Sequence, residues 1–276
     1  MRRVLNPSLM TTQTSGTQNQ QQSGGKRPAL SVVVPIHNEE ENINPLVNEI
    51  SAALKDSISY EIVYVDDDST DSSHEVLRTL TANLTEFRAV QHLKKGGQSA
   101  AIFSGVQAAN APLVVTLDGD GQNDPADILA LFEMYNTYAG ENGRLMVAGC
   151  RKDRRDGWGK RLSSHIANAV RSHLLSDKTQ DTGCGLKIFR REDFLRLPAF
   201  DHMHRFLPAL MLRAGGRVMF QEVNHRPRYH GKSNYGTFDR LWVGITDMFG
   251  VIWLNRRRLN AESVEIKGHS DRFGST

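Results

Sequence analysis

Cysteine is scarce in this 276-residue chain: Cys150 and Cys184 stand alone, without the paired spacing of a metal site. A disulfide framework and a thiolate cluster are thereby excluded, and two inert thiols in a reducing compartment such as the cytoplasm are expected. Charge of one sign is also lacking. A formal net charge of only +3 leaves no general basic surface, so nucleic acid is not the expected partner. No G-x-G-x-x-G follows any apolar run, since Gly96-Gly97 and Gly105 have the wrong spacing, and no G-x-x-x-x-G-K-[ST] occurs. These absences argue against a dinucleotide dehydrogenase and a P-loop enzyme. The run 241–254 (LWVGITDMFGVIWL) carries Asp247 and falls short of the roughly 20 residues needed to span a bilayer. Arg2 and Arg3 are followed by no apolar stretch, so neither a secretory signal nor an anchor is expected there, and the polar low-complexity segment 11–25 predicts disorder over residues 1–27.

With 39% hydrophobic residues, the chain can build one large core. Residues 30–36 (LSVVVPI) form a short continuous β-branched run, the pattern of a strand buried on both faces, and a helix is predicted from about Glu40 to Leu54. The alternation continues with strand 61–65, a helix from about Ser72, strand 87–92, helix 98–109 and strand 113–117. A mostly parallel α/β sheet flanked by helices follows, with ligands bound beyond the carboxyl ends of its strands.

Those strand ends are acidic. Pro35-Ile36-His37-Asn38-Glu39 follows the first strand, Asp66 to Asp71 the second, and Asp118-Gly119-Asp120-Gly121-Gln122 the fourth. Carboxylates with a divalent cation are the natural substitute for the missing glycine-rich phosphate loop. Asp118 and Asp120 flank a glycine, leaving two carboxylates free to reach one Mg²⁺ or Mn²⁺ beside a diphosphate, although an acid pair in a loop is more often only a turn. In the run Asp66 to Asp68, one carboxylate can accept from a base N–H or ribose hydroxyl while another merely caps the next helix.

In this order VVVPIHNEEENI, YVDDDSTD, GQSAAIFSGVQAA and TLDGDGQNDP resemble glycosyltransferase family 2, and within it the dolichol-phosphate mannosyltransferase type, from about Leu30 to Asn234. The resemblance implies the nucleotide-sugar transferase (GT-A) α/β fold over residues 28–235 and places Asp118, Gly119 and Asp120 in a metal-diphosphate motif. Pro35, His37, Glu39, Val65 and Asp67 fall at nucleoside-contacting positions. The family more often has Tyr where His37 stands and Gly where Asp68 stands. Arg151 matches a Gly-Thr-Arg position, Lys160, Ser164 and Asn168 match an acceptor-side helix, and Asp181 lies in an Asp-x-Thr-Gly-type segment. Arg228 matches the arginine of a mobile loop over the diphosphate, where Asn234 occupies the family's later lysine position and Lys232 stands two residues earlier.

Residues 149–161 hold six Lys or Arg against two Asp, so an anion is expected nearby, with a solvated loop as the plain alternative. A phosphate acceptor needs no strong general base, whereas a hydroxyl acceptor needs a carboxylate, for which Asp181 is the visible choice. The resulting expectation is an inverting transferase that uses Asp118, Asp120, Arg151, Lys160, Ser164, Asp181 and Arg228 to move sugar from a GDP- or UDP-sugar to a polyprenyl phosphate. Its rivals are a family 2 enzyme with a hydroxyl acceptor and a nucleotide-sugar-binding protein without catalysis. Residues 236–258 are predicted to form a helix with Trp242, Ile245, Phe249, Ile252 and Trp253 on one face, followed by Arg256, Arg257 and Arg258. Such a helix lies in the cytoplasmic membrane surface or packs on the domain. Residues 259–276 read as a polar tail.

Overall fold

The apolar runs become strands because both of their faces have somewhere to go. In the computed structural model, which describes residues 27–140, 143–151, 181, 183–227 and 237–257 (the side chains of 237–243 and 245 excepted), every residue of β1 (Leu30–Ile36) is buried. Val32, Val34 and Ile36 point to one side of the sheet and Val33 to the other. Strand β2 (Tyr60–Asp66) repeats the division, with Ile62 and Tyr64 on the first side and Val63 on the second. Each such aliphatic side chain contributes roughly 1.5–3 kcal/mol on burial, which is why these strands carry no polar alternation.

The first face is covered by α1 (Glu40–Leu54), α2 (Ser73–Asn83) and α4 (Asp127–Tyr138). Ile43, Leu46, Val47, Ile50 and Leu54 of α1 recur at helical spacing and all enter that core, beside Leu77, Ile128, Leu131 and Tyr135. On the second face lie α3 (Gln98–Ala108), α5 (Arg191–Leu195), α6 (Leu207–Arg213) and α7 (Thr237–Arg256).

The strand order is β3-β2-β1-β4-β6-β5-β7, with β3 (Phe87–Gln91), β4 (Leu113–Thr116), β5 (Leu145–Arg151), β6 (Lys187–Arg190) and β7 (Arg217–Val223). β1 pairs in parallel with β2 and β4, β2 with β3, and β5 with β7, while β6 runs antiparallel between β4 and β5. The order reverses between β1 and β4, so a crevice opens there beyond their carboxyl ends.

The C-terminal helix packs and is exposed at once. Val251 is buried and Met248, Ile252 and Leu254 rest on the second core, whereas Phe249 is 64% and Trp253 61% exposed. Ile252 therefore does not share the exposed face expected for it. Arg213 Nε donates to the Leu254 carbonyl at 3.1 Å, and His202 Nδ1 lies 3.0 Å from Asp247 Oδ2, fixing the helix to the body. Among the described residues, no helix is long and apolar enough to cross a membrane.

Candidate functional site

The acidic strand ends meet because the acid loop closes tightly on β1. A Cβ at Gly119 would lie 2.5 Å from Ile36 Cγ2 and 3.0 Å from the Pro35 carbonyl, so only glycine allows that approach. Asn38 and Asp68 both adopt left-handed backbone (φ 58° and 61°), turning the β1 and β2 loops toward each other. Asn38 Oδ1 accepts from the Thr70 backbone N–H at 2.7 Å and fastens the two loops together.

One short segment crosses the mouth of the crevice and touches each strand end in turn. Lys95 Nζ donates to His37 Nε2 at 2.9 Å, and the Lys95 backbone N–H donates to Asp68 Oδ2 at 3.2 Å. Gly96 and Gly97 donate their N–H groups to Asp67 Oδ1 and Oδ2, both at 2.7 Å. Gln98 Nε2 donates to Asp118 Oδ1 at 2.9 Å, and the Ser99 hydroxyl lies 2.7 Å from His204 Nδ1. Gly97 at φ 84° provides the left-handed turn into α3 that this path requires.

Asp67 is buried, and His92 Nδ1 donates to its Oδ1 at 2.7 Å. Burial alone would raise its pKa, but the donors from Gly96, His92 and Gly97 outweigh burial and hold the carboxyl below its ordinary value. His37 Nδ1 bonds the Asp67 carbonyl at 2.9 Å, so Nδ1 carries the proton and Nε2 accepts from Lys95. Pro35 and Val65 are buried, and Val65 packs at Gly105 of α3, leaving only backbone for a ligand at Val65. Glu39 Oε2 accepts from Asn42 Nδ2 at 2.5 Å at the entrance to α1.

At the centre two carboxylates lie near enough to act on each other. Burial, and then the neighbouring Asp120 charge, push the Asp118 carboxyl up to about 6, against the opposing influence of Lys187, Arg151 and Gln98. A buried carboxyl pushed up by a neighbouring carboxylate is a setting a divalent cation would relieve. Among the described residues no group of three His, Cys, Asp or Glu side chains forms a closed cage. The pair thus fits a cation that takes its remaining ligands from a substrate diphosphate and water, as Mg²⁺ commonly does.

On the other side of the crevice the chemistry changes from backbone dipoles to full charges. Arg151 forks onto Asp181, with Nε to Oδ2 at 2.5 Å and Nη2 to Oδ1 at 2.8 Å. Lys187 is buried, donates to the Cys184 carbonyl, and acts electrostatically on Asp118 and Asp181. Burial lowers its pKa, and Cys184, Asp118 and Asp181 oppose that shift. Gly183 and Gly185 make room for these charges. A Cβ at Gly183 would meet Arg151 Nη2 at 2.9 Å, and one at Gly185 would collide with the Asp118 carboxylate.

The segment that follows β7 is stitched to the acid loop. Asn123 bridges to His225, the Arg226 N–H donates to the Gln122 carbonyl at 2.9 Å, and Arg226 pairs with Asp124 and Glu49, each at 2.6 Å. Lys160, Ser164, Asn168, Arg228, Lys232 and Asn234 themselves lie outside the described residues, as do residues 1–26 and 258–276.

Sequence reasoning did not single out Lys95, Gln98, Ser99, His204 or Lys187 for these contacts. The motif GQSAA carried a signal for Gln98 and Ser99, and it gave no partner. His204 is held near pKa 3, chiefly by burial and then by Arg205, Lys187 and His202, so it stays neutral beside Ser99.

Comparison with known proteins agrees with this architecture. Residues 31–197 match the family described as glycosyl transferase family 2. The chain is 35% identical over 236 residues to the dodecaprenyl-phosphate galacturonate synthase of Rhizobium johnstonii, covering 82% of this chain and 67% of that protein. It is 36% identical over 214 residues to the undecaprenyl-phosphate 4-deoxy-4-formamido-L-arabinose transferase of Edwardsiella ictaluri, covering 75% and 63%. It thus spans about two thirds of the length of these relatives. Glucosyl-3-phosphoglycerate synthase from Mycobacterium tuberculosis, crystallised with Mn²⁺, UDP and glucosyl-3-phosphoglycerate, superposes with a TM-score of 0.62 at 18% identity over 83% of this chain and 80% of that one. The last likeness is one of fold, the nucleotide-sugar transferase (GT-A) architecture. The chain belongs to glycosyl transferase family 2 and is a glycosyltransferase.

Proposed function

We propose that this enzyme transfers a sugar from a nucleotide diphosphate sugar, UDP- or GDP-linked, to a polyprenyl phosphate at a membrane surface, with inversion. The Arg151–Asp181 fork carries this reading. A hydroxyl acceptor would need a carboxylate to take its proton, and Asp181, the residue expected for that task, is engaged by a guanidinium on both oxygens. A phosphate monoester, with its second pKa of about 6, is already largely dianionic at neutral pH. Cations then matter more than a base, and Arg151 and Lys187 stand on that side. The relatives named for polyprenyl-phosphate products support the same acceptor class.

In this reading Asp118 and Asp120 would hold Mg²⁺ or Mn²⁺, whose charge offsets that of the departing diphosphate. Structures of similar fold contain Mn²⁺ or Mg²⁺ with UDP, which supports that assignment. Gln98 orients Asp118, and Arg228, Lys232 and Asn234 are the residues that would offset the charge of the leaving diphosphate. Pro35, His37, Glu39, Val65 and Asp67 form the nucleoside end, and Arg151, Lys160 and Ser164 the acceptor end. An acceptor phosphate oxygen attacks the anomeric carbon as the diphosphate leaves from the opposite face, which inverts the linkage.

Helix α7 would carry the enzyme to its lipid as a peripheral protein on the cytoplasmic face. Phe249 and Trp253 project from it, and exposed Arg256 and Arg257 follow where anionic headgroups would lie. The deciding experiment is a screen of radiolabelled UDP- and GDP-sugars against a long-chain polyprenyl phosphate, with and without anionic vesicles. Label should enter the lipid phosphate, faster with vesicles. Transfer only to a free saccharide hydroxyl would overturn the acceptor assignment, and Phe249→Asp/Trp253→Asp protein that still floats with vesicles would overturn the helix's role.

A further inference from the structure

The two positions where the chain departs from its family's nucleoside pattern converge on one residue, Lys95. His37, standing where the family more often has Tyr, accepts the Lys95 ammonium on Nε2 at 2.9 Å, and Asp68, standing in place of the usual Gly, accepts the Lys95 backbone N–H at 3.2 Å. Asp68 takes up a left-handed backbone (φ 61°) that glycine would adopt with less strain. What that residue gains is the carboxylate that holds Lys95 in place.

The imidazole is fixed in turn. With Nδ1–H committed to the Asp67 carbonyl at 2.9 Å, His37 presents a lone pair to Lys95 and uses one of the three ammonium N–H donors. Two donors remain. Lys95 is exposed, and its neighbours Gly96 and Gly97 are tied to Asp67, so the ammonium is held over the β1 and β2 ends rather than left on a free stem. At the other end of the same segment Gln98 touches Asp118, which places Lys95 at the nucleoside end and away from the diphosphate end.

Asp67 restricts what the base can be. A carboxylate offers about four acceptor positions, and His92, Gly96 and Gly97 already fill three of those on Asp67. One position is left, enough for a single N–H. Guanine presents two adjacent donors, N1–H and the N2 amino group, beside O6, whereas uracil presents one N–H between two carbonyl oxygens. A site with one acceptor position next to a cationic donor matches the uracil edge.

We propose that Lys95, positioned by His37 and Asp68, is a specificity-determining residue of the donor site that donates to a uracil carbonyl oxygen, making a uridine diphosphate sugar the donor. This rests on the transferase reading above and sharpens it. The experiment is calorimetric titration of the full chain with UDP, UMP and GDP in the presence of Mn²⁺, for wild type, Lys95→Met, Lys95→Arg and His37→Phe. Wild type should bind UDP at least about tenfold more tightly than GDP, and Lys95→Met should weaken UDP and UMP by the same factor, about tenfold. Lys95→Arg should retain most of the affinity, and His37→Phe should lose part of it through the unheld ammonium. Tighter binding of GDP, an unchanged Kd in Lys95→Met, or a loss seen with UDP but not UMP would each overturn the proposal while leaving the transferase intact. If wild type binds neither diphosphate, the transferase reading itself falls.

Discussion

The two banks of the crevice neutralise their carboxylates by different means. On the donor bank Asp67 is held by backbone N–H groups of Gly96 and Gly97 with His92, and Asp66 Oδ1 accepts the Ser69 N–H at 3.0 Å. On the acceptor bank Asp181 is held by the Arg151 guanidinium, with buried Lys187 nearby. Backbone donors are fixed by the fold and cannot follow a ligand, so they suit a site that reads the shape of a neutral nucleoside. Side-chain cations keep donors in reserve: the Arg151 fork uses its Nε–H and one Nη2–H on Asp181, leaving N–H groups that an incoming phosphate can take. Asp118 sits between the banks, touched by Gln98 from one and seated on Gly185 of the other.

Breaking the joint between the banks should have the largest effect. Asp120→Ala removes a carboxylate from a partly exposed loop position, so the fold should survive and transfer should fall by about 10³-fold or more. Turnover at saturating Mn²⁺, read beside a thermal melt, checks this, and normal turnover would remove the cation assignment. Gly185→Ala attacks the same joint from the acceptor bank. The new methyl group would collide with the Asp118 carboxylate and turn it out of the crevice, which should weaken Mn²⁺ binding and lower transfer about 10²-fold. Gln98→Ala, from the donor bank, should cost only about tenfold, since it frees Asp118 without displacing it.

A second pair of substitutions tests the contrast in how charge is held. Arg151→Met strips the buried Asp181 of its guanidinium and should destabilise the protein by about 3 kcal/mol. Arg151→Met/Asp181→Asn should recover much of that loss. Asp67→Asn, on the donor bank, keeps an oxygen for His92 and Gly96 but turns its amino group toward the Gly97 N–H, and should cost about 1 kcal/mol. Urea melts of the four proteins decide the matter, and equal losses at Arg151 and Asp67 would erase the distinction between the banks.

Acid sharpens the same comparison. The Asp118 carboxyl is raised from 3.8 to about 6, so between those values the folded protein binds a proton that the unfolded chain does not. Two consequences follow with opposite sign. Mn²⁺ affinity should fall as pH drops through about 6, by up to tenfold per unit below it, because proton and cation compete for one carboxylate. The stability advantage of Asp118→Asn over wild type, present above pH 6, should shrink as pH falls toward 4. Asp67, whose pKa is lowered, keeps its charge through this window. Mn²⁺ titrations and melts of the pair from pH 4.5 to 7.5 read both, and a cation affinity that is flat with pH would contradict the placement of Asp118.

What could be read ahead of the structure divides along the same line. β1, α1, β2, β3 and β4 fall where their runs predicted, and in β1 and β2 burial on both faces leaves continuous apolar stretches. β6 (KIFR) and β7 do not announce themselves: one is four residues long and the other carries only partly buried side chains over most of its length. Asp118, Asp120 and Asp67 were legible as acids at strand ends. Lys95, Gln98 and the Ser99–His204 pair were not, since their meaning depends on a β3 loop passing three other strand ends. Gly185 looks like any turn glycine until Asp118, far away in the chain, is seen to occupy the space of its missing Cβ.

The smallest effect is expected outside both banks, and it sets their scale. Gly250 lies inside helix α7 with open space around its missing Cβ, between exposed Phe249 and buried Val251. Alanine there meets no neighbour, and it removes the conformational freedom that glycine loses on entering a helix. Gly250→Ala should therefore stabilise the protein by about 0.5–1 kcal/mol, a rise in Tm of about 1–4 °C for a chain of this size. Transfer and vesicle binding should be unchanged, because Phe249 and Trp253 keep their places. The same change of one hydrogen for one methyl would then cut transfer about 10²-fold at Gly185 and help folding at Gly250, with opposite signs set only by what stands where the Cβ goes. A loss of stability at Gly250 would mean that something covers this stretch of the helix, and the exposed face assigned to the membrane would have to be redrawn.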